Sequence, residues 1–551
     1  MPALNWIGKE AVINYHKEVP FRLLNCDPTR SVGEPNGNLL IEGDNLEALK
    51  ALLPYYAGQV KCIYIDPPYN TGNENWVYND NVNSPQIRAW LGRVVGGEGE
   101  DLSRHDKWLC MMYPRLQLLW ELLSDDGLIF VSIDDNEVHN LRQAMSEVFG
   151  EACFKNCIVF RRGIKSVQAQ FDTIDTLAVG HEYVLMYAKS PSTRFKKFTI
   201  SLDEPKAGAW NNHWRGTDRP TMRYELFGIT PSYGQWRWSQ ARSLRAIANY
   251  QRMLQELGVT TDEVTQTQID EWYQRECERE VASIDLLRLS ATGKPEHYVP
   301  PTDTKLGSDL WTDLSPRGSA DLNALFGRKV FDNPKPVDLV KRIVEFATNL
   351  QGDDIVLDSF AGSGTTGHAV LQLNREDSGD RRFILVELER DIARNITAER
   401  LRRVIQGYTW TDQRGNERFE MGLGDGFRYC TLGATIFNPD GSINLTVIWE
   451  DLARHIWFTE TRTPWPGLPS PSEGEGLGVR VETCLGTFNG VAYYLYFNGI
   501  GGNTFGPPQL AELPLNEMPK VVYADTAAVE PAELDEHQVT FKQIPYDVKV
   551  Y

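Results

Sequence analysis

At 551 residues the chain is longer than one hydrophobic core usually supports, so roughly two to four domains are expected. Its 41% hydrophobic and 24% charged residues are ordinary for a globular protein, and no run approaches the ~18 apolar residues of a membrane-crossing helix. The formal net charge of -19 argues at first against a nucleic-acid partner, because phosphate binding rewards Lys and Arg.

That charge is uneven. Lys189 to Gln255 carries twelve Lys/Arg against four Asp/Glu, whereas Tyr408 to Tyr551 carries nine against nineteen. A basic segment inside an acidic chain can still be a binding face.

In chain order, Met1 to Tyr15 shows no basic stretch followed by an apolar one, so no secretory signal is read there. Eight cysteines are scattered, Cys153 and Cys157 being the closest pair, with no His or Cys cluster to complete a zinc site. Reduced thiols in a cytoplasmic protein without a metal are therefore expected. Asn38-Leu-Leu-Ile-Glu-Gly-Asp44 predicts a strand and turn, followed by a short helix through Leu53. Val60-Lys-Cys-Ile-Tyr-Ile65 predicts a buried parallel strand that stops at Asp66-Pro67-Pro68-Tyr69. A polar, Gly- and Asn-rich stretch from Asn70 to His105 reads as a long functional loop. Leu109 to Leu123 has helical spacing, Gly127 to Ile133 reads as a strand and Glu137 to Phe149 as a helix. This alternation predicts a parallel sheet covered on both faces.

After a strand from His181 to Lys189 the pattern changes. Phe195 to about Tyr250 is basic and aromatic, and Glu256 to Leu289 is acidic and helical in spacing. The α/β rhythm resumes with a helix from Pro336 to Leu350 and strands at Asp354–Asp358 and Phe383–Glu387. A helix from Asp391 to Gln406 follows. Beyond Tyr408 lie short β-like runs and a Pro/Gly/Ser-rich loop from Thr463 to Gly478, read as a separate strand-rich domain. The expected division is 1–190, 191–310, 311–407 and 408–551.

Two motifs carry chemistry. Asp358-Ser-Phe360-Ala-Gly362-Ser-Gly364-Thr365-Thr-Gly367 is a strand, a tight glycine turn and a helix start, whose backbone N–H groups can face an anionic or polar ligand. It is formally G-x-G-x-x-G with an acidic residue, Glu387, twenty positions past Gly367. The loop alone suits a nicotinamide or flavin cofactor as well as S-adenosylmethionine. Asp66-Pro67-Pro68-Tyr69 narrows the choice. It follows a buried strand directly, so it sits at the carboxyl edge of the sheet, where α/β folds bind ligands. An exocyclic amine on a nucleobase is a poor nucleophile because its lone pair is delocalised into the ring. The Asp66 carboxylate and the Pro67 carbonyl can accept its two N–H bonds and favour a more tetrahedral nitrogen. Tyr69 offers a flat face for an extruded base.

With these residues the chain resembles the beta-class amino-methyltransferases, in which D-P-P-Y precedes the glycine motif and a target recognition domain lies between them. It looks similar above all to the modification subunits of type III restriction–modification systems. The supporting runs are Leu39-Leu-Ile-Glu-Gly-Asp-Asn-Leu-Glu-Ala-Leu49, Ile65-Asp-Pro-Pro-Tyr-Asn-Thr-Gly72, Phe331-Asp-Asn-Pro-Lys-Pro336 and Phe360-Ala-Gly-Ser-Gly-Thr365. The resemblance implies a circularly permuted, Rossmann-like α/β fold that uses S-adenosylmethionine. It implies that Asp66, Pro67, Pro68 and Tyr69 handle a target adenine, and that Asp358, Phe360, Gly362, Gly364 and Thr365 line the cofactor. Glu387 is implied on the ribose, with Asp44 and Pro336 towards the cofactor's adenine and methionine ends. It further implies double-stranded DNA as substrate, a homodimer and a restriction subunit as partner.

The basic segment supplies candidate DNA contacts: Lys196, Lys197, Arg215, Arg219, Arg223, Arg237, Arg242, Arg245 and, among the aromatics, Trp236. His181 and Glu182 read as structural hydrogen-bonding residues on an apolar strand, not as acid–base groups. No G-x-x-x-x-G-K-[ST] loop or nuclease motif is present, so cleavage in a restriction system would need another chain. Other readings are a stand-alone or phage-defence methyltransferase, an N4-cytosine enzyme, a non-catalytic specificity subunit and, as an outsider, a nicotinamide oxidoreductase.

Overall fold

The computed structural model describes residues 4–34, 37–71, 92, 103–163, 177–217, 219–279, 284–350, 352–411, 416–467, 483–499, 501–513 and 518–544. Most of the polar stretch from Asn70 to His105, and the end of the Pro/Gly/Ser-rich loop, lie outside them. The chain forms two compact units, residues 1–196 with 309–551, and residues 197–308.

The larger unit is built on a ten-stranded sheet. Its strands are β1 (Arg22–Val32), β2 (Leu39–Glu42), β3 (Val60–Ile65), β4 (Leu123–Ile133), β5 (Phe154–Arg161), β6 (His181–Ala188), β7 (Leu310–Trp311), β8 (Ile355–Asp358), β9 (Arg382–Glu387) and β10 (Phe427–Thr435). Across the sheet they run β1-β10-β2-β9-β8-β3-β4-β6-β5-β7. The central strands are short apolar runs because helices cover both of their faces. Leu40, Ile41, Ile63, Ile65, Ile129, Val131, Leu357, Ile384 and Val386 are fully buried. Each such side chain contributes about 1.5–3 kcal/mol through removal from water.

Register places the functional edge. β2, β9, β8, β3 and β4 are parallel, with Leu357 opposite Ile63, Asp358 opposite Leu385 and Glu387 opposite Glu42. The D-P-P-Y turn after β3 and the glycine turn after β8 therefore leave adjacent strands at the same edge. β6 runs antiparallel to β4, with Ile133 opposite Tyr183, so it is the start of β6 that reaches that edge. The chain also enters helix Val337–Ala347, which leads into β8, from this side.

Two expectations need correction. Tyr408 does not open a separate domain, because β10 lies inside the main sheet, parallel to β2 and antiparallel to β1. Without β10, the backbone groups on one side of β2 would lack a ladder partner. Later residues add a four-stranded sheet, yet Ile456, Trp457 and Leu485 belong to the same buried cluster as Leu49 and Leu52. The cysteines are not all reduced either: Cys26 and Cys430, cross-strand partners on β1 and β10, form a disulfide. Among the described residues, no helix is long and apolar enough to cross a membrane.

The smaller unit pairs helices Gln240–Leu257 and Gln266–Arg279 with short antiparallel sheets, one of them formed by Ala209–Asn212, Leu287–Leu289 and Pro295–Val299. Its apolar interior has two parts, one around Tyr250, Met253, Trp272 and Leu286, the other around Leu226, Trp236, Ala246 and Leu287.

Candidate active site

The glycine turn is held from three directions. Gly362 and Gly364 have φ of +51° and +77°, a left-handed backbone that side chains disfavour. A Cβ on Gly364 would meet Thr397 Cγ2 at 3.1 Å. The Gly362 N–H donates to Glu387 Oε2 at 2.8 Å, and Thr397 Oγ1 donates to the Gly362 carbonyl at 2.6 Å. Beneath the turn, the buried Arg400 donates to Ser363 Oγ at 3.0 Å and to Thr365 Oγ1 at 2.8 Å.

Asp358 closes the base of the turn. It accepts from the Phe360 N–H at 3.0 Å and from Thr366 Oγ1 at 2.6 Å. Burial pushes its carboxyl up to about 7, against the pull of those two donors. Glu387 also accepts from the Glu389 N–H at 2.9 Å, so its carboxylate is buried within the loop framework.

The D-P-P-Y turn is equally fixed. Trp108, on helix Arg104–Leu122, donates its indole N–H to the Pro68 carbonyl at 2.6 Å. The Pro68 carbonyl is thus engaged within the fold. Asn70 has φ +56° and donates to the buried Glu137, which also binds His105 Nδ1 at 2.6 Å.

Two side chains not read as functional from sequence join this turn. The Lys335 ammonium stands 3.0 Å from Asp66 Oδ1 and 3.4 Å from Glu182 Oε2. It donates to the Tyr69 hydroxyl at 2.8 Å, and that hydroxyl donates to Glu182 Oε2 at 2.9 Å. Lys335 Nζ also lies 4.7 Å from the Tyr69 ring centroid, so a cation accompanies the ring expected to stack on a base. Burial raises the Asp66 carboxyl, Lys335 pulls it down and Glu182 pushes it up again, leaving it above the ordinary range. Burial opposes the Lys335 charge, but the attraction of Asp66 and Glu182 outweighs it and the ammonium is held above its usual value. Glu182 is a hydrogen-bonding residue, as expected, but antiparallel β6 carries it to the functional edge, where its partners are Tyr69 and Lys335.

Between the turns lies a narrow cleft, its enclosed volume about 20 Å³, lined by Tyr64, Asp66, Lys335, Asp358, Phe360 and Gly362 among others. Thr365 also borders it. Asp44 and Pro336 are not among its lining residues. Asp44 caps helix Asn45–Tyr56, accepting from the Leu46 N–H at 2.8 Å, and pairs with Arg115 at 3.3 Å. Pro336 precedes helix Val337–Ala347, where its missing N–H costs nothing.

Within the smaller unit the DNA candidates separate. Arg215, Arg219 and Arg245 are exposed, as is Lys197. Lys196, the last residue of the larger unit's first segment, is exposed too. Arg223 and Arg237 are half-buried, donating to the carbonyls of Gly234 at 2.9 Å and Asn212 at 3.2 Å. Arg242 forms a two-pronged pair with Asp285 at 2.7 and 2.9 Å, which offsets its charge. Trp236 is corrected outright: it is 2% exposed and donates to the Tyr224 carbonyl at 2.8 Å. Its area fills the unit's own core. Tyr233, 67% exposed, is an outward aromatic of this segment.

A doubly covered parallel sheet, with a glycine turn and an acceptor-bearing proline turn on adjacent strands, defines a Rossmann-like group-transfer site. Residues 60–399 match the family model described as DNA methylase, which covers more than half of the chain. The chain belongs to this DNA methylase family of N6 and N4 methyltransferases. It is similar to the type III restriction-modification enzyme StyLTI Mod subunit of Salmonella typhimurium, 32% identical over 69% of this chain and 56% of that protein. It is also similar to the EcoPI Mod subunit of Escherichia phage P1, 31% identical over 70% and 63% respectively. The type II methyltransferase M.KpnI of Klebsiella pneumoniae is 30% identical over 64% of this chain and 81% of its own length. The chain thus spans less than two thirds of the Mod subunits it matches.

Proposed function

We propose that the chain transfers a methyl group from S-adenosylmethionine to N6 of an adenine flipped out of double-stranded DNA, as the modification subunit of a type III restriction–modification system. One observation carries this reading: Asp66 and the glycine turn, 296 residues apart from Asp66 to Gly362, line one cavity at one sheet edge.

The residues present fit the cofactor. Two carboxylates, Asp66 and Asp358, border the cleft and suit a cationic guest. The left-handed Gly362 and Gly364 let backbone approach it closely. When bound, S-adenosylmethionine supplies an electrophilic methyl on a cationic sulfur. Phe360 and Gly362 line its place, Thr365 stands at the start of the following helix, and Glu387 anchors the turn and can share its carboxylate with ribose hydroxyls. The Asp66 carboxylate and Pro67 carbonyl hold the target amine by its N–H bonds, and Tyr69 supports the base. Asp rather than Ser at the first position favours adenine over N4 of cytosine.

Residues 197–308 are the proposed target recognition domain, with Lys197, Arg215, Arg219 and Arg245 on phosphates and base edges and Lys196 at its border. A second copy of the chain and a separate restriction subunit are the proposed partners, following the Mod relatives, and the cytoplasm the proposed compartment. Long-read sequencing of host DNA with and without the gene tests the reading. N6-methyladenine at one sequence, lost with the gene, is expected. N4-methylcytosine would reassign the base, and unmodified DNA would reject the activity.

A further inference from the structure

A carboxylate that must accept an N–H bond has to be charged when the base arrives, because a protonated carboxyl turns one of its oxygens into a donor. Asp66 is badly placed to keep that charge. Its side chain is 17% exposed, and the second carboxylate of Glu182 shares its surroundings. Burial and a like charge both favour the protonated form. The groups that face it are Lys335, Glu182, Tyr69, Tyr64 and Asp358. Of these only Lys335 is cationic, and its ammonium lies 3.0 Å from Asp66 Oδ1.

We propose that Lys335 and Glu182 are positioning residues for Asp66: the Lys335 ammonium keeps the Asp66 carboxylate charged and facing the cavity, and Glu182 anchors that ammonium. The proposal rests on the methyl-transfer reading for its purpose but not for its test. The geometry explains why both partners are present. Lys335 is 12% exposed, pairs with the Asp66 carboxylate and donates to Glu182 and the Tyr69 hydroxyl. With Asp66 alone, a flexible four-carbon chain would follow one carboxylate wherever it turned. Glu182, itself 8% exposed on a buried strand, fixes the ammonium from the far side and receives the Tyr69 hydroxyl at 2.9 Å. The stacking ring and the accepting carboxylate are thereby tied to one cation. Glu182 has an opposite effect through charge, since its repulsion disfavours the ionised Asp66. Lysine and glutamate are therefore coupled, and removing one changes the consequence of removing the other.

The test measures single-turnover methyl transfer to duplex DNA against pH for wild type, Lys335→Met, Lys335→Arg, Glu182→Gln and Lys335→Met/Glu182→Gln. For Lys335→Met the acid limb is expected to move up by about one to three pH units. Turnover near neutrality falls at least about tenfold and recovers in alkali. Lys335→Arg keeps the wild-type limb, and adding Glu182→Gln to Lys335→Met brings the limb part of the way back. An infrared titration of the Asp66 carboxyl, with Asp66→Asn as reference, follows the same midpoint without any turnover. If wild type transfers no methyl group, the functional reading falls, while the infrared midpoint still decides the role of Lys335. A Lys335→Met protein whose infrared midpoint is unmoved overturns the proposal, as does an unmoved acid limb in an active enzyme.

Discussion

The Trp108 indole N–H donates to the Pro68 carbonyl at 2.6 Å, tying the second turn of helix Arg104–Leu122 to the turn that presents Asp66. Trp108 is fully buried, so its ring is fixed by packing and its N–H direction with it. Trp108→Phe keeps most of the apolar area but leaves that carbonyl without its donor, at a cost of about 1–3 kcal/mol. The expected result is a folded protein with near-normal S-adenosylmethionine affinity and a methyl-transfer rate down about tenfold or more. Calorimetric binding and single-turnover kinetics check this; an unchanged rate would release the turn from dependence on Trp108.

Asp358 predicts a pH dependence of cofactor binding. Its carboxyl, pushed up to about 7 by burial, is largely protonated in slightly acid solution. A cationic ligand favours the ionised form, so affinity should rise as pH passes upward through about 7, with proton release on binding. The folding effect has the opposite sign. The native state holds a proton between the unfolded value of 3.8 and about 7 that the unfolded chain has lost, so the carboxyl's contribution to stability falls with rising pH across that window. Asp358→Asn should therefore be more stable at pH 8 than wild type and bind the cofactor weakly at every pH. Calorimetry in two buffers of different ionisation heat measures the proton release.

His455 makes a separate prediction about acid stability. Its ring packs against Phe21 and Phe437 at 4.8 and 5.3 Å, and burial, reinforced by Lys50, lowers its pKa to about 3. Between about 3 and the unfolded value of 6.5 the unfolded chain binds a proton that the native state does not. Stability is lost as pH falls through that window and is fully present above it. His455→Phe should flatten the decline in melting temperature between pH 6.5 and 4. A decline as steep as wild type's would show that other groups govern acid unfolding.

The smaller unit offers a contrast between two kinds of residue. Trp236→Ala removes a core side chain and should destabilise residues 197–308 by about 3–5 kcal/mol. Exposed Arg215 and Arg219 changed to Glu should leave folding intact, weaken DNA binding and flatten its salt dependence by roughly one unit of slope for each phosphate no longer neutralised. Filter binding at several salt concentrations distinguishes them; identical salt slopes would remove these arginines from the DNA face.

What the sequence disclosed follows from how local each signal is. Asp66 to Tyr69 and Gly362 to Thr365 are contiguous, and their chemistry is written in a few neighbouring residues. Glu182 and Lys335 reach the site only through topology, one by the reversal of β6 against β4, the other through the entry to the helix before β8. Neither fact has a local pattern. Trp236 and Arg242 looked like DNA contacts because aromatic and basic residues alternate there, but alternation does not say which face a core claims. The disulfide joins Cys26 to Cys430 across 404 positions, and β10 enters the sheet by an equally non-local pairing. Such pairings are settled by backbone hydrogen bonds that composition does not reveal.

The most direct test is one variant, Asp66→Ala, assayed for three properties on the same preparation. S-adenosylmethionine affinity and duplex DNA affinity should stay within a few-fold of wild type, while transfer of radiolabelled methyl to adenine should fall to background. Appreciable methylation by that variant would contradict the assignment of Asp66 as the group that holds the target amine.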